Sequence, residues 1–246
     1  MAANVQDVFM LVGDSLTQGG WAPGDTGIGQ RLAHAYARKL DVLNRGYSGY
    51  NTEWALPVVE QCIAQREDER APKIRVLTLW FGANDACIKP SPQHVPLEKF
   101  EANIRKMINL VQSRSPDTRI LLITAPPVNT HQRKADLESR DPPVPLDRLF
   151  ETSKQYADAV RAIGEELGLG ILWVACGEDE AAFSDFSPDG LHLNERGYEV
   201  LYDELIRVIS DKYPEVHHDN LGFVFPPWKD IDWEHPERTF GTSKTV

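Results

Sequence analysis

The residues of this chain whose types and spacing suit chemistry are a serine, a histidine–aspartate pair and a set of amide donors. Ser15 stands in Gly13-Asp14-Ser15-Leu16-Thr17. A serine hydroxyl is a poor nucleophile at neutral pH. It needs a base, commonly histidine, held in orientation by a third group. Asp189 and His192 lie three residues apart in Ser187-Pro188-Asp189-Gly190-Leu191-His192-Leu193-Asn194. One turn can set that carboxylate and imidazole side by side. Acyl transfer also needs donors for a tetrahedral oxyanion. Asn84, in Trp80-Phe81-Gly82-Ala83-Asn84-Asp85, carries a side-chain amide. Gly46 and Gly49, in Asn44-Arg45-Gly46-Tyr47-Ser48-Gly49-Tyr50-Asn51-Thr52, can each bring a backbone N–H close to a substrate. Asp85 is read as fixing the Asn84 loop by hydrogen bonds, and Asp14 as a support beside Ser15. Taken singly, each motif also reads as an ordinary turn, cap or loop glycine.

The elements that must position these groups follow from hydrophobic patterning. Short runs rich in Val, Ile and Leu occur at 8–12, 41–45, 74–81, 118–124 and 170–175. They are too short for helices and largely continuous, the pattern of strands buried on both faces of a parallel sheet. Helical spacing appears between them. Residues 97–113 carry Phe100, Ile104, Met107, Ile108 and Val111; residues 151–167 carry Tyr156, Ala159, Val160, Ile163 and Leu167, with Gly168 as a stop. Residues 194–210 carry Tyr198, Leu201, Leu205, Val208 and Ile209 behind Asn194 as N-cap. Residues 29–40 and 52–65 complete the set. Alternating strands and helices predict right-handed crossovers and a three-layer α/β/α sandwich around a five-stranded parallel sheet. In such sheets ligands bind beyond the carboxyl ends of the strands. The Ser15, Gly46/Gly49 and Asn84 motifs each follow a strand, and the Asp189–His192 motif precedes the last helix. All four converge on one rim, and that coincidence is what raises them above turn residues.

Two stretches break the rhythm. Residues 125–149 hold five prolines among charges and read as a long loop, a lid or rim. Residues 214–246 hold Phe223, Phe225, Trp228 and Trp233 and read as an extension to a 1–213 domain. Its aromatics are expected to pack on that domain or on a second subunit of a homo-oligomer, with the last six residues frayed. Trp80 and Phe81 are expected in the core. Tyr47 and Tyr50 are candidates to line the pocket.

Bulk properties exclude several function classes. The 246 residues carry a formal charge of −11, with 41% hydrophobic and 26% charged residues. An acidic surface repels phosphate backbones, so nucleic acid is excluded and a neutral substrate fits best. Cys62, Cys87 and Cys176 form neither a disulfide framework nor a zinc motif and read as free thiols. Cys87 has no nearby base to make it a nucleophile. No run of 18 apolar residues spans a membrane, and residues 1–7 lack a signal-peptide pattern, so a cytoplasmic location is expected. His217-His218 is read as a solvated pair, and no metal or organic cofactor is expected.

At this point the motifs resemble those of a known family. Gly13-Asp14-Ser15-Leu16, Gly49, Gly82-x-Asn84-Asp85 and Asp189-x-x-His192 stand in the order of the blocks of GDSL esterases, also called SGNH hydrolases, across residues 6–212. Residues 45–56, 81–86, 189–193 and Gly197-Tyr198 are most similar to isoamyl acetate-hydrolysing esterases. The resemblance implies a flavodoxin-like fold and a serine hydrolase with Ser15 as nucleophile, His192 as base and Asp189 as its partner. It implies the Ser15 N–H, the Gly49 N–H and the Asn84 amide as oxyanion donors, with Gly46 the alternative to Gly49. The substrate it implies is a short-chain, acetate-type ester of a small alcohol. Rival substrates for the same machinery are acetylated carbohydrates, lysophospholipids and acyl-CoA, for which Gln132-Arg133-Lys134 offers cations diluted by Glu138 and Asp141. A catalytically silent interaction protein on the same fold is the non-enzyme alternative.

Overall fold

A computed structural model describes residues 6–23, 27–65, 71–172 and 180–240. Residues 173–175 of the fifth expected strand, Cys176 and the last six residues lie outside the described residues. The strands are β1 Asp7–Gly13, β2 Leu40–Gly46, β3 Ile74–Trp80, β4 Arg119–Ile123 and β5 Gly170–Leu172. They form one parallel sheet in the order β2-β1-β3-β4-β5. The helices are α1 Ser15–Gly19, α2 Ile28–Ala35, α3 Thr52–Cys62, α4 Leu97–Arg114, α5 Thr130–Glu138, α6 Phe150–Leu167, α7 Glu195–Lys212 and the short α8 Pro236–Thr239.

The order of the strands dictates the layers. A right-handed crossover puts its helix on a face set by the direction of travel across the sheet. The chain steps from β1 to β2 one way, then returns past β1 to β3 and continues to β4 and β5. The α2 helix therefore lies on one face and α3, α4 and α6 on the other, with α7 returning to the first. Side chains sort accordingly. Phe9, Leu11, Val76, Leu121 and Ile123 pack with Leu32 of α2 and Leu201 and Leu205 of α7. Val8, Met10, Val12, Leu77, Leu79 and Leu122 pack with Val59 of α3, Ile104 and Met107 of α4 and Val160 of α6. Successive strand residues alternate between two buried layers. That alternation explains why the apolar runs are continuous. The second run departs from this expectation: β2 is an edge strand, and after Leu40 its residues are half-buried or exposed.

Caps and stops fall where the residue types place them. The Asn194 side chain accepts the Gly197 N–H at 3.0 Å to start α7, and Gly168 ends α6 in the left-handed conformation, φ +62. Leu167, expected in the core, is instead exposed at that helix end. Trp80 and Phe81 are buried as expected, and Cys62 and Cys87 are free thiols. The expected loop 125–149 contains a helix, α5. It has no apolar stripe to announce it: its buried residues are Arg133 and Leu137. Its start is set by the Asn129 side chain, which accepts the Gln132 N–H at 3.0 Å.

At the amino end of the sheet, the segment after α7 returns across the α2–β2 turn. Val216 is buried in the core layer of α2 and α7, and the Tyr36 hydroxyl donates to the Val216 carbonyl at 3.0 Å. Arg38, with φ +66, accepts the Val224 N–H at 2.9 Å and donates to the carbonyls of Phe225 and Pro226. Its guanidinium lies 4.4 Å from the Phe223 ring centroid. Trp228 and Trp233 stack on one another and are largely exposed. The His217-His218 pair is half-buried rather than solvated. The two rings lie 4.3 Å apart, and His218 meets Tyr36 edge-on. No helix among the described residues is long and apolar enough to cross a membrane.

One glycine makes a sharp test of this packing. Gly164 lies inside α6, where alanine is normally preferred by about 1 kcal/mol. A Cβ there, however, would lie 2.4 Å from Ile171 Cγ1 on β5. Gly164→Ala is therefore expected to destabilise the fold by about 1–3 kcal/mol, the usual cost of overpacking. Urea unfolding checks this, and a stabilised variant means that Ile171 has room to move.

Candidate active site

The site is built where β1, β2 and β3 end. Gly13 pairs with Gly46 on one side and Trp80 on the other. A Cβ at Gly13 would lie 2.2 Å from Thr17 Oγ1 and 2.5 Å from the Trp80 carbonyl, and one at Gly46 would lie 2.2 Å from the Gln18 N. These two glycines let α1 begin directly over the strand ends. Asp14 caps α1, its Oδ1 accepting the Leu16 N–H at 2.9 Å. Ser15 is thus the first helical residue, and its N–H has no acceptor among the described residues.

His192 comes from the loop ahead of α7. Asp189 Oδ1 accepts the backbone N–H groups of Leu191 at 3.0 Å and His192 at 2.8 Å, and Gly190 turns the chain with φ +79. This turn leaves the second carboxylate oxygen, Oδ2, 2.8 Å from His192 Nδ1. The other ring nitrogen, Nε2, lies 3.0 Å from Ser15 Oγ. Asp189 accepts, so Nδ1 carries the proton and Nε2 is left as the acceptor facing the serine hydroxyl. Burial pushes the Asp189 carboxyl up, but the hydrogen bonds from the His192 ring and from the backbone N–H groups of His192 and Leu191 outweigh it. The net effect holds it below the ordinary carboxylate range, so Asp189 stays ionised as a partner for His192.

The expected donors lie on loops that follow the neighbouring strands β2 and β3. Gly49, with φ +80, sits between β2 and α3, and its N–H has no acceptor among the described residues. The alternative, Gly46, has its N–H engaged by Asn44 Oδ1 at 2.8 Å. The Asn84 amide is oriented on both sides. Its Nδ2 donates one hydrogen to the Tyr50 carbonyl at 2.9 Å, and its Oδ1 accepts from Arg148 Nη2 at 2.6 Å and Gln93 Nε2 at 3.3 Å. Gln93 Nε2 also donates to the Gly49 carbonyl at 2.8 Å, joining the two donor loops. Asp85 Oδ1 accepts from the Thr52 N–H at 2.9 Å and the Thr52 hydroxyl at 2.5 Å, tying the end of β3 to the start of α3. Tyr47, Tyr50 and Trp54 form a row of rings with centroid spacings of 5.4 and 6.2 Å next to Gly49.

Four contributors were not singled out as site residues in the sequence: Gln93, Arg133, Asp147 and Arg148. Gln93 lies in a Pro-flanked loop with no local signal. Arg133 and Arg148 are polar residues of the long connection, where burial is invisible to composition. Arg133 belongs to the run weighed as cations for an acyl-CoA substrate. It is instead buried and bonded to Asp147 and Asp189, and Lys134 lies 3.8 Å from Glu138. His217, His218 and Asp219 bring three potential ligand atoms within 4.8 Å of one another. They lie at the amino end of the strands, beside Tyr36 and Lys39, away from this rim.

Two carboxyls under the site are raised by burial: Asp14 to about 7, against its cap bond from Leu16, and Asp85 to about 6, against its bonds from Thr52. The folded chain therefore binds a proton on Asp14 between about pH 4 and 7 that the unfolded chain has released. Stability from this group is full below about pH 4 and is lost as pH rises through 7. Asp14→Asn keeps an acceptor for the cap but cannot ionise. Its stability relative to the parent is expected to improve by about 2–4 kcal/mol between pH 5 and 8. Urea unfolding at the two pH values measures this, and a pH-independent difference overturns the assignment of a raised carboxyl.

Comparisons with known proteins place the chain in a family. The model of the GDSL-like lipase/acylhydrolase family matches residues 11–200. A GDSL esterase/lipase of Arabidopsis thaliana is 36% identical, covering 94% of this chain and 96% of its own. An isoamyl acetate-hydrolyzing esterase 1 homolog of Bos taurus is 36% identical over 93% of this chain and 89% of its own. The isoamyl acetate-hydrolyzing esterase of Saccharomyces cerevisiae is 31% identical over 91% and 94%. Among solved structures, the acetylxylan esterase Axe2 of Geobacillus stearothermophilus superposes with a TM-score of 0.60 at 21% identity, over 82% of this chain and 94% of its own. On the matched family model and these relatives, the chain belongs to the GDSL-like lipase/acylhydrolase family of ester hydrolases.

Proposed function

We propose that this chain is a serine carboxylesterase that hydrolyses short-chain, acetate-type esters of small alcohols. Ser15 is the nucleophile, His192 the general base and acid, and Asp189 its partner. The observation that carries this reading is one continuous hydrogen-bonded chain. Ser15 Oγ lies 3.0 Å from His192 Nε2, and His192 Nδ1 lies 2.8 Å from Asp189 Oδ2. It stands next to backbone donors that have no acceptor among the described residues.

The chemistry follows from the tautomer. His192 Nε2 takes the Ser15 proton as Oγ attacks the ester carbonyl carbon. Charge builds on the carbonyl oxygen, and the Ser15 N–H, the Gly49 N–H and the second Asn84 Nδ2 hydrogen receive it. The imidazolium, stabilised by ionised Asp189, gives its proton to the departing alkoxide, and the alcohol leaves. The same nitrogen then deprotonates a water, which attacks the acyl carbon and releases the carboxylic acid and the Ser15 hydroxyl.

The substrate class rests on the named isoamyl acetate-hydrolyzing relatives and on charge. A net charge of −11 and an Arg133 already bonded to two carboxylates leave acyl-CoA a poor fit. A second reading, carbohydrate O-deacetylation, is favoured by one observation: the row Tyr47, Tyr50 and Trp54, in which Trp54 is exposed. Such rings suit stacking on a sugar as well as packing on an alkyl group.

Ser15→Ala is expected to abolish nearly all hydrolysis of p-nitrophenyl acetate and all labelling by a fluorophosphonate, with an unchanged circular dichroism spectrum. Undiminished turnover in that variant would falsify the assignment. Absence of label and turnover in the parent chain favours the silent interaction protein. Asn84→Ala is expected to lower kcat by about 10²–10³, the usual loss for one oxyanion donor. A loss of only a few-fold removes Asn84 from the hole. Measurement of kcat/KM across acetate to octanoate esters, acetylated sugars and acyl-CoA separates the substrate classes, with the highest value expected for acetates of small alcohols.

A further inference from the structure

We propose that Arg133, Asp147 and Arg148 form a clamp of positioning residues that ties the carboxylate behind His192 to the amide of Asn84. The inference rests on the ester-hydrolase roles proposed for Asp189 and Asn84, and goes beyond them by assigning a task to the connection between β4 and α6.

The links form one unbroken path. Arg133 Nη1 donates to Asp189 Oδ2 at 3.0 Å, the same oxygen that faces His192 Nδ1. Arg133 Nε and Nη2 hold Asp147 in a two-point fork at 3.0 and 2.8 Å. Asp147 Oδ2 also accepts from Arg148 Nη1. Arg148 then donates through Nη2 to Asn84 Oδ1 at 2.6 Å and through Nε to the Ala83 carbonyl at 2.7 Å. Both guanidinium groups are out of water, with side-chain exposures of 5% and 4%. Backbone contacts brace the same path. The Asn129 N–H donates to the Gly190 carbonyl at 3.0 Å, and Gln132 Nε2 donates to the Ser187 carbonyl at 2.8 Å. A Cβ at Gly190 would lie 2.5 Å from the Arg133 N, so α5 sits directly against the turn that carries Asp189 and His192.

Stability is a poor explanation for such a path. Two buried arginines cost desolvation, and apolar residues of similar volume usually serve a core equally well. Geometry is a better one. An asparagine amide turned by 180° exchanges its oxygen and nitrogen. With the oxygen towards the substrate it would repel the oxyanion instead of binding it. Arg148 is a donor without an acceptor site, so it holds Oδ1 on its own side and turns Nδ2 towards the Tyr50 carbonyl and the open site. Arg133 does the corresponding work for Asp189: it fixes Oδ2, while the turn fixes Oδ1. Asp147 sets the spacing of the two cations and neutralises part of their charge.

A role exerted through Asn84 predicts non-additivity. Arg148→Met is expected to lower kcat for p-nitrophenyl acetate about 10- to 100-fold with KM changed less than about twofold. In the Asn84→Ala background the same change is expected to cost less than about threefold, because the group it orients is gone. Arg148→Lys keeps a cation opposite Asp147 but cannot hold Ala83 and Asn84 with one fork. It is expected to fold like the parent, to lose kcat several-fold, and to lose that effect in the Asn84→Ala background. Stoichiometric fluorophosphonate labelling and the circular dichroism melt establish that each variant is folded. Full additivity with Asn84→Ala, a loss carried by KM, or unchanged kcat overturns the clamp while an active parent keeps the ester-hydrolase reading. Loss of the fold in both Arg148 variants also overturns it, since the residue would then serve the fold alone. A parent chain with neither turnover nor label overturns both readings.

Discussion

The candidate site depends on how closely three strand ends and one helix can approach. At Gly13 and Gly46 there is no space for a side chain: any Cβ would fall within 2.2 Å of Thr17 Oγ1 or the Gln18 N. Because neither glycine carries a side chain, α1 starts on top of the sheet, and Ser15 emerges at the end of β1, which lies between β2 and β3 where the chain reverses its direction of travel across the sheet. That reversal opens a crevice that neighbouring crossovers leave unfilled. The Gly49 loop, the Asn84 loop and the Asp189–His192 turn each enter it from a different strand or helix end. A parallel sheet delivers all its carboxyl ends to one rim, so groups more than a hundred residues apart become neighbours without any local signal between them.

Charge under the rim is arranged on two principles. Asp14 and Asp85 are buried with no ion-pair partner among the described residues, and burial raises both. They act as hydrogen-bonding braces for α1 and α3 rather than as partners for His192. Asp189, Asp147, Arg133 and Arg148 are paired, two anions with two cations, and Asp147 is held below its ordinary range by the two arginines despite its burial. The paired set is expensive to desolvate but directional. Directionality is what a reacting centre demands, since a displacement of an ångström in donor or base costs far more in rate than in stability.

Most of the architecture was legible in the sequence, for a reason visible in particular residues. Phe9 and Leu11 point into one layer and Val8, Met10 and Val12 into the other, so β1 reads as continuous apolar sequence and could only be a doubly covered strand. Asn194 and Gly168 announce helix ends because their conformations are local. The edge position of β2 was not legible, since half-exposure depends on what lies beside the strand. The α5 helix was missed because Arg133 and Leu137 are its buried residues, and periodicity reports apolar stripes rather than buried guanidinium groups.

The sequence by itself determined the candidate reacting groups. Ser15, Gly49, Asn84, Asp189 and His192 are each recognisable from the few residues around them, because turns, caps and glycine conformations are set by local sterics. Tertiary structure alone decided how they are held. It engaged the Gly46 N–H while that of Gly49 has no acceptor among the described residues, bound the Asn84 oxygen to Arg148, and brought Arg133 and Arg148 into contact with groups 56 and 65 positions away in the chain. Hydrogen bonds between side chains so distant in sequence have no periodicity and no motif. They exist only once the sheet has assembled and water has been removed from around them.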